Sequence, residues 1–532
     1  MNKIATYLNE HLLGEVSSSK AMRRRYSRDA SVLTLTPEII MFPRVTNDIR
    51  KAARFAWQLA EKGHPLALTV RGAGGDQTGA AIGKGIVIST ATHLNNIIHL
   101  ALKDRLAHVQ PGMNLETLDT TLKWQGLSLP NAPIDAHATV GGVIAGGTLG
   151  AKGGLGESIE KLEVVLANGD LIETSRLSKH DLSKKLGLQT FEGEVYRKLE
   201  GLIEDNEELI KQIAADAVRD HAGHKAVATV RDKDGSFDLT PLFVGSQGTL
   251  GIITEIVLKA EFYSQDEVQI VAIAETSELA RDVAARIREL DPAMLLTFDG
   301  ELFQRAGEAG AQFSLIGPTD SLGAVIYAKF NDFSDHARTT KVKKMSKLMK
   351  KLGIGMVTSA DHQPEEFDAI TNVAASLDLT ADDDEVNLPL IDGSYVPFDR
   401  REEFTTAVAE LANHHHLSLP LKANILTNTV YAYPTLKLDI ISDKQKLFKL
   451  LTDYAELVDK FGGAFVSDGA EGRLKANAAW SVIGEKEAAL YEQVRTIFDP
   501  FNTLNPGVKQ KSDIRTLVAA LRTSYDTTDF LS

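Results

Sequence analysis

Two glycine-rich stretches of the chain have the composition of phosphate-binding loops. The first covers residues 71–79 and reads Arg-Gly-Ala-Gly-Gly-Asp-Gln-Thr-Gly. The second covers residues 139–150 and reads Thr-Val-Gly-Gly-Val-Ile-Ala-Gly-Gly-Thr-Leu-Gly. Glycines leave backbone N–H groups uncovered, so a phosphate can approach the main chain and accept hydrogen bonds from it. Two such stretches, about seventy residues apart, predict a large phosphate-bearing cofactor that contacts both.

The absence of cysteine limits the chemistry that the chain can perform. None of the 532 residues is a cysteine. This excludes disulfides, cysteine-ligated iron–sulfur clusters, thiolate nucleophiles and cysteinyl-linked flavins. Redox chemistry must therefore use an organic cofactor, or a metal held by histidine and carboxylate side chains.

Length and charge predict a soluble protein of more than one domain. A chain of 532 residues is too long for a single hydrophobic core. The formal net charge of −14 argues against a nucleic-acid partner. No run reaches the ~18 apolar residues of a membrane helix, and the first ten residues lack the apolar core of a signal peptide. We therefore expect a cytoplasmic protein without an integral membrane segment.

Strands and helices are expected to alternate around the two stretches up to about residue 260. The expected elements are a helix from Thr46, strands over 66–70 and 85–89, a helix over 114–124, a strand over 159–166 that turns at Asn168-Gly169, helices within 178–215 and a long strand ending at Leu258. Each glycine stretch is thereby placed between a strand and the element that follows it.

The pattern changes at about residue 262, where strand-like runs begin to alternate with amphipathic helices. The expected strands cover 269–274, 323–330, 353–358, 436–441 and 464–467, and the expected helices cover 278–290, 336–352, 401–414 and 444–460. This pattern predicts a separate α+β domain with a largely antiparallel sheet.

Several short motifs occur in the order found in one family of oxidoreductases. They are Tyr26-Ser-Arg-Asp-Ala-Ser31, Pro43-Arg-Val-Thr-Asn-Asp48, Arg71-Gly-Ala-Gly74, Pro111-Gly112, Thr139-Val-Gly-Gly142, the hairpin sequence 162–169, Gly245-Ser-Gln-Gly-Thr-Leu-Gly251, Asp499-Pro500 and Asn505-Pro-Gly507. On these motifs the chain resembles the FAD-dependent oxidoreductases of the vanillyl-alcohol oxidase/p-cresol methylhydroxylase (PCMH) superfamily. It is most similar to the branch of D-lactate, D-2-hydroxyglutarate and glycolate dehydrogenases.

The resemblance implies an α+β fold made of a PCMH-type FAD-binding domain and a cap domain. The FAD-binding domain would contain two α/β subdomains, and the cap would be α+β with a largely antiparallel sheet over the isoalloxazine. The expected division is an N-terminal helical and extended segment over 1–40, the FAD-binding domain over 41–261, the substrate cap over 262–466, and a C-terminal segment over 467–532 that returns to the FAD domain.

The resemblance also assigns residues to FAD. The first stretch would hold the pyrophosphate, the second would follow the dinucleotide and the flavin edge, and Asn505 would lie beneath the ring. The implied cofactor-binding residues are Arg71, Gly72, Ala73, Gly74, Gly75, Asp76, Gln77, Gly79, Thr139, Gly142, Ala145, Gly147, Gly150, Ile252, Ile253 and Asn505. Since the first stretch contains no histidine, FAD is expected to be bound non-covalently.

The histidines that this branch uses to hold a metal are missing. In the family they come from a Gly-His-x-Gly-Asp-Gly-Asn-x-His segment and a Glu-His-Gly segment. Here the corresponding segments are 421–431, without histidine, and 463–475, where Asp468 and Gly469 replace the Glu and the His. We therefore expect no metal site at these positions. The run His414-His415-His416 is expected to end a helix or lie on the surface, because consecutive side chains point in different directions.

Four residues are the candidates for catalysis: Arg473, Lys475, Tyr431 and Asp468. Oxidation of an alcohol at a flavin requires a base for the hydroxyl proton and a group that orients the substrate. Arg473 and Lys475 occupy positions where the family carries basic residues, and an arginine fork suits a substrate carboxylate. The base stays open among Tyr431, Asp468 and the further candidates Tyr433, Lys437 and Tyr395.

The leading hypothesis is a FAD-dependent dehydrogenase of a small 2-hydroxy acid, with D-lactate as the first substrate to test. Its electrons would pass to a quinone, a cytochrome or a carrier flavoprotein. Through such an acceptor the protein could bind peripherally to a membrane. Two alternatives stay open. One is a metal-free alcohol or sugar oxidase that uses O₂. The other is a flavin-binding electron-transfer or scaffold subunit that has lost catalysis.

Overall fold

The computed structural model describes residues 3–216, 218–320, 322–360, 362–378, 390–438 and 440–522. These residues form two compact units. Unit 1 contains the chain up to Gly150, Gly154–Phe262 and Gly469–Arg522, and unit 2 contains Ala151–Gly153 and Tyr263–Asp468. Residues 1–2 and 523–532 of the predicted terminal segments lie outside the described residues. The four predicted domain ranges stay predictions.

Unit 1 contains eleven strands and twelve helices among its described residues. Its strands are β1 (Glu15–Ser17), β2 (Ile39–Phe42), β3 (Leu68–Arg71), β4 (Ile86–Ser89), β5 (Ile97–Ala101), β6 (Leu106–Val109), β7 (Leu127–Ser128), β8 (Ile159–Val165), β9 (Leu171–Thr174), β10 (Ile252–Lys259) and β11 (Glu261–Phe262). Its helices are α1 (Lys3–His11), α2 (Lys20–Arg25), α3 (Thr46–Glu61), α4 (Leu115–Lys123), α5 (Val140–Gly146), α6 (Lys179–Leu186), α7 (Phe191–Asp205), α8 (Glu207–Ala215), α9 (Thr240–Phe243), α17 (Ala476–Val482), α18 (Glu485–Phe498) and α19 (Ile514–Ala520).

Two sheets organise unit 1. The first has the strand order β1-β2-β4-β3, in which β4 is parallel to both β2 and β3. The second has the order β5-β6-β10-β8-β9 and is antiparallel throughout. The hairpin from β8 to β9 turns at Gly169, whose φ of 84° lies in the left-handed region that glycine tolerates. This turn was predicted from the sequence.

Helix α3 stabilises the first sheet by covering one of its faces. Its apolar positions repeat with helical spacing, and one face buries Ile49, Ala52, Ala53 and Ala56 against the first sheet. Asp48 lies in the first turn, and its carboxylate accepts the N–H groups of Arg44, Leu13 and Gly14. The helix was predicted from Thr46, where it begins.

Unit 2 is built on a single seven-stranded antiparallel sheet of order β15-β12-β14-β13-β17-β18-β16. Its strands are β12 (Val268–Ala274), β13 (Met294–Asp299), β14 (Ala324–Phe330), β15 (Met356–Thr358), β16 (Ile391–Tyr395), β17 (Leu421–Asn424) and β18 (Thr429–Ala432). Its helices are α10 (Ser277–Arg288), α11 (Gly300–Glu308), α12 (Asp335–Leu352), α13 (Pro364–Thr371), α14 (Val373–Asp378), α15 (Arg401–His414) and α16 (Ile441–Lys460). The α+β class and the antiparallel sheet are confirmed.

The predictions of two strands in this unit are wrong. The described residues of 436–441 form no strand: Leu436 makes an isolated bridge and Ile441 begins α16. Leu436 and Leu438 are buried, and a connection that covers the core shows the same apolar alternation as a strand. Residues 464–467 make a single bridge, in which Ala464 exchanges hydrogen bonds with Tyr395. Strands β13, β16, β17 and β18 were not predicted.

Candidate functional site

The first glycine stretch leaves the end of β3 and forms a turn with uncovered amides. Among the described residues, the backbone N–H groups of residues 72–77 donate to no protein acceptor. Gly75 is exposed, and a Cβ atom added there would have its nearest neighbour, an Asp135 carboxylate oxygen, at 3.9 Å. The turn therefore offers both donors and open space to a phosphate.

Three contacts fix the shape of this turn. The Asp76 carboxylate accepts the N–H groups of Thr78 at 2.9 Å and Ala80 at 2.8 Å, so its charge is directed into its own turn. Gly74 has a φ of 85° and lies against the Arg71 guanidinium. A Cβ atom on Gly72 would lie 2.1 Å from Thr139 Oγ1, which brings the start of the second stretch against the first.

The second stretch is a short helix, α5, and not the open loop that the sequence predicted. Thr139 caps it, and its hydroxyl accepts the N–H of Gly142 at 3.2 Å. The N–H groups of Val140 and Gly141 donate to the carbonyls of Met113 and Pro111. Because these protein acceptors occupy the first amides of α5, the N–H groups of Val140 and Gly141 are not available to a phosphate. Phosphate binding at the first stretch stays a prediction.

A cavity of about 460 Å³ lies in unit 1 beside the end of α5. Its lining includes Gly147 and Leu149, together with the apolar side chains of Ile213, Val218 and Val244. Pockets of this size hold cofactors and drug-sized ligands.

His221 lies at the edge of this cavity, where the sequence did not predict a functional residue. A Cβ atom on Gly147 or on Gly245 would fall within 3 Å of the His221 ring, so glycine is required at both positions. Burial lowers the pKa of His221 to about 3, which leaves the imidazole neutral at pH 7.

Asn505 and Gln247 tie the first stretch to the C-terminal part of unit 1. Asn505 Nδ2 donates to the carbonyls of Ala80 and Gln247, each at 2.8 Å. Its Oδ1 accepts from Thr69 at 3.0 Å. Gln247 Nε2 donates to Thr78 Oγ1 at 3.1 Å. These amides hold the turn in place, and contact between Asn505 and the cofactor stays a prediction.

Arg473 belongs to the same network. Its guanidinium donates to the carbonyls of Gly79 at 3.0 Å, Ile82 at 3.0 Å and Pro506 at 2.5 Å. It also donates to Asn505 Oδ1 at 3.2 Å, and the side chain is 8% exposed. This arrangement supports the backbone behind the first stretch. A catalytic role for Arg473 stays a prediction.

The remaining predicted residues of unit 1 are buried or lie along the elements already described. Lys475 is 1% exposed and precedes α17. Ile252 and Ile253 begin β10, where they pair with Val165 and Val164. Their cofactor-binding roles stay predictions, as do those of Ala73, Gln77, Ala145 and Gly150. The catalytic role of Lys475 also stays a prediction.

Unit 2 brings together two of the predicted catalytic residues. The Tyr431 hydroxyl donates to Asp468 Oδ2 at 2.6 Å, a distance typical of a hydrogen bond to an ionised carboxylate. Lys422, which the sequence reasoning missed, completes the cluster, with its Nζ 5.3 Å from the centre of the Tyr431 ring. Lys422 and Tyr431 lie opposite each other in the β17–β18 hairpin.

The charges of this cluster are set by burial and by one another. Burial raises the pKa of Tyr431 well above its usual value, and the Asp468 carboxylate raises it further, so the phenol stays protonated. Burial lowers the pKa of Lys422, and Asp468 opposes that shift. Among the described residues, the Lys422 ammonium has no carboxylate within ion-pair distance. The cluster therefore offers a carboxylate acceptor and a cation that is free to meet an anion.

One group of potential metal ligands lies elsewhere in unit 2. Ligand atoms of His414, His415 and Asp453 lie within 4.8 Å of one another. His415 Nε2 is hydrogen-bonded to Asp453 Oδ2 at 2.8 Å, and Lys449 donates to the same oxygen at 2.6 Å. These histidines end α15, as predicted. The prediction of no metal site concerned the segments 421–431 and 463–475, so this group does not test it.

Comparisons with known proteins agree with this architecture. Residues 37–175 match the FAD binding domain family, and residues 264–508 match the C-terminal domain of FAD linked oxidases. A D-2-hydroxyglutarate dehydrogenase of Haemophilus influenzae is 24% identical over 97% of the chain and 53% of its own length. A glycolate oxidase subunit of Bacillus subtilis is 25% identical over 95% of the chain and 96% of its own length.

A solved structure of p-cresol methylhydroxylase with bound substrate shares the fold, with a TM-score of 0.69 at 13% identity over 96% of both chains. The chain spans about half the length of the D-2-hydroxyglutarate dehydrogenases that it matches. None of the helices in the described part of the chain is long and apolar enough to cross a bilayer.

The residues of unit 1 fit FAD, the cofactor of the matched families. The uncovered amides of residues 72–77 suit a pyrophosphate, and the cavity of about 460 Å³ provides room for a ring system. The two domain matches and the fold support one conclusion. The chain contains a FAD binding domain and the C-terminal domain of FAD linked oxidases, and it is similar to D-2-hydroxyglutarate dehydrogenases and to a glycolate oxidase subunit.

Proposed function

We propose that this protein is a dehydrogenase that oxidises a small D-2-hydroxy acid with non-covalently bound FAD. The observation that carries the proposal is the Lys422–Tyr431–Asp468 cluster, which combines a hydrogen-bonded carboxylate with a cation that forms no ion pair with any described residue. Relatives named as D-2-hydroxyglutarate dehydrogenases and as a glycolate oxidase subunit support the substrate class. A quinone, a cytochrome or a carrier flavoprotein is proposed as the electron acceptor.

Bound FAD would supply the acceptor for the hydride that leaves the substrate α-carbon. The chain itself must remove the hydroxyl proton and hold the carboxylate. We assign the proton to the Asp468 carboxylate, because Tyr431 is held protonated and is a donor to Asp468. Lys422 would bind the substrate carboxylate. Tyr431 is a positioning residue that holds Asp468 in one orientation.

This assignment replaces the metal of the family with side chains. A divalent metal would orient the substrate and lower the pKa of its hydroxyl. In this chain the segments that resemble the metal-binding ones contribute Lys422, Tyr431 and Asp468. A cation and a carboxylate perform the same two tasks, orientation and proton removal, without a metal.

A substrate screen tests the proposal. The yellow protein is mixed under nitrogen with D-lactate, D-2-hydroxyglutarate and glycolate, with the L-enantiomers as controls, and flavin absorbance near 450 nm is followed. We expect bleaching by at least one of the D-acids or glycolate and slow recovery in air. Fast recovery with O₂ would point to the oxidase alternative. A flavin that no hydroxy acid bleaches would contradict the proposal and favour the non-catalytic alternative.

A further inference from the structure

Arg401, the first residue of α15 in unit 2, is buried, and no described residue accepts a hydrogen bond from its guanidinium. Its side chain is 4% exposed. Its Nε, Nη1 and Nη2 make no hydrogen bond within the described residues. The Phe398 ring, 5.5 Å from the guanidinium carbon, is its one recorded contact of the cation–π type. Buried polar groups are nearly always hydrogen-bonded, and a buried charge without a counter-charge is costly, so this guanidinium requires an acceptor such as a water molecule or an anion.

A small cavity borders the guanidinium. It has a volume of about 30 Å³ and lies between α10, α15 and the sheet. Besides Arg401, its polar lining consists of Ser277, Arg281, Thr297, Asp299 and Thr405. This is space enough for a water molecule or a small ion.

The electrostatics around the cavity are positive. Arg281 and Arg401 both line it, and Arg288 lies 4.9 Å from the Phe398 ring that Arg401 also contacts. Asp299 is the one carboxylate in the described lining. Its oxygens accept from Ser277 at 2.6 Å and from the N–H of Leu421 at 2.7 Å. Burial and the two neighbouring arginines lower the pKa of Arg401 to about 10, so it keeps its charge at pH 7.

We propose that this cavity binds one small monovalent anion of the size of chloride, held by the Arg401 guanidinium. The small volume favours an ion of this size over phosphate esters, nucleotides and hydroxy acids. A chloride ion accepts several hydrogen bonds at once, and the guanidinium donates none of its N–H groups to a described residue, Asp299 included. The bound anion would neutralise Arg401 and fix the start of α15 against the sheet.

Bromide tests the site in the wild-type protein. Crystals grown with NaBr in place of NaCl are expected to show an anomalous peak beside Arg401. In solution, thermal unfolding is measured at constant ionic strength while sodium gluconate is exchanged for NaCl or NaBr. Halide at about ten times its Kd is expected to raise the Tm by about 3 °C. A water molecule in place of bromide, together with a Tm that does not respond to halide, would overturn the proposal.

Two variants separate a site from a general salt effect. Arg401→Met removes the charge and keeps an unbranched side chain. In halide-free buffer it is expected to unfold at or above the wild-type temperature, because no unpaired charge is left buried. Its Tm is expected to be independent of halide. Arg400→Met is the matched control, since Arg400 is 47% exposed and pairs with Glu403 at the surface, and it should keep the full response. A halide response that survives in Arg401→Met would refute the assignment.

Discussion

Asp468→Asn is expected to slow flavin reduction by substrate about 10²–10⁴-fold, the usual contribution of a general base. The amide cannot take the hydroxyl proton, and FAD binding should be unchanged. Tyr431→Phe keeps the base and loses the 2.6 Å hydrogen bond that holds it. Charge-assisted hydrogen bonds contribute about 1.5–3 kcal/mol, so we expect about 10–100-fold slower reduction in this variant. Anaerobic stopped-flow absorbance at saturating substrate gives both rates.

Tyr327→Phe is the matched control for these variants. Tyr327 is 3% exposed in the same sheet, and its hydroxyl donates to Gln269 Oε1 at 2.9 Å. The substitution removes a buried phenol hydroxyl from unit 2 outside the Lys422–Tyr431–Asp468 cluster. It is expected to cost stability without slowing flavin reduction. If Asp468→Asn reduced its flavin as fast as Tyr327→Phe, Asp468 would not be the base.

The second large effect is expected at the first glycine stretch. Gly75→Asp and Gly75→Asn add side chains of nearly equal size at an exposed position with open space. If residues 72–77 hold the pyrophosphate, the added carboxylate repels it. Two unit charges about 4 Å apart in a partly solvated site interact by about 1–4 kcal/mol. Gly75→Asp should therefore bind FAD at least about fivefold more weakly than Gly75→Asn.

Fluorescence quenching of FAD by the two apoproteins measures this difference. The gap between the variants should shrink at high ionic strength, because the position is exposed and its charge is screened by salt. Equal affinities of Gly75→Asp and Gly75→Asn at low salt would show that the pyrophosphate lies elsewhere. The asparagine variant controls for the loss of glycine itself.

The sequence was sufficient to predict the first glycine stretch but not the conformation of the second. In residues 71–79 the composition alone favours an open turn, and its amides are uncovered. Residues 139–150 are equally rich in glycine, but they begin with Thr139, a good N-cap residue, and form a helix. The first N–H groups of this helix donate to protein acceptors. The acceptors Pro111 and Met113 are remote in sequence, so no local pattern identifies them.

The candidate catalytic cluster could be predicted only in part. Tyr431 and Asp468 were predicted from the segments in which they occur, whereas Lys422 was not, because the family motif in its segment is defined by histidines. A signal for Lys422 was present. If residues 421–432 had been interpreted as a hairpin that turns at Asn428, whose φ is 58°, Lys422 would have been placed opposite Tyr431. The contact with Asp468 joins residues 37 positions apart, which local patterns do not predict.

The central claim is that side chains, and not a metal, remove the proton and hold the substrate. The most direct test is the rate of anaerobic flavin reduction by the substrate identified in the screen, before and after dialysis against EDTA, with the metal content of both samples measured. The account predicts the same rate in metal-depleted protein and no increase when Zn²⁺ or Mn²⁺ is added. Loss of flavin reduction with the metal, and its return with Zn²⁺ or Mn²⁺, would contradict the account.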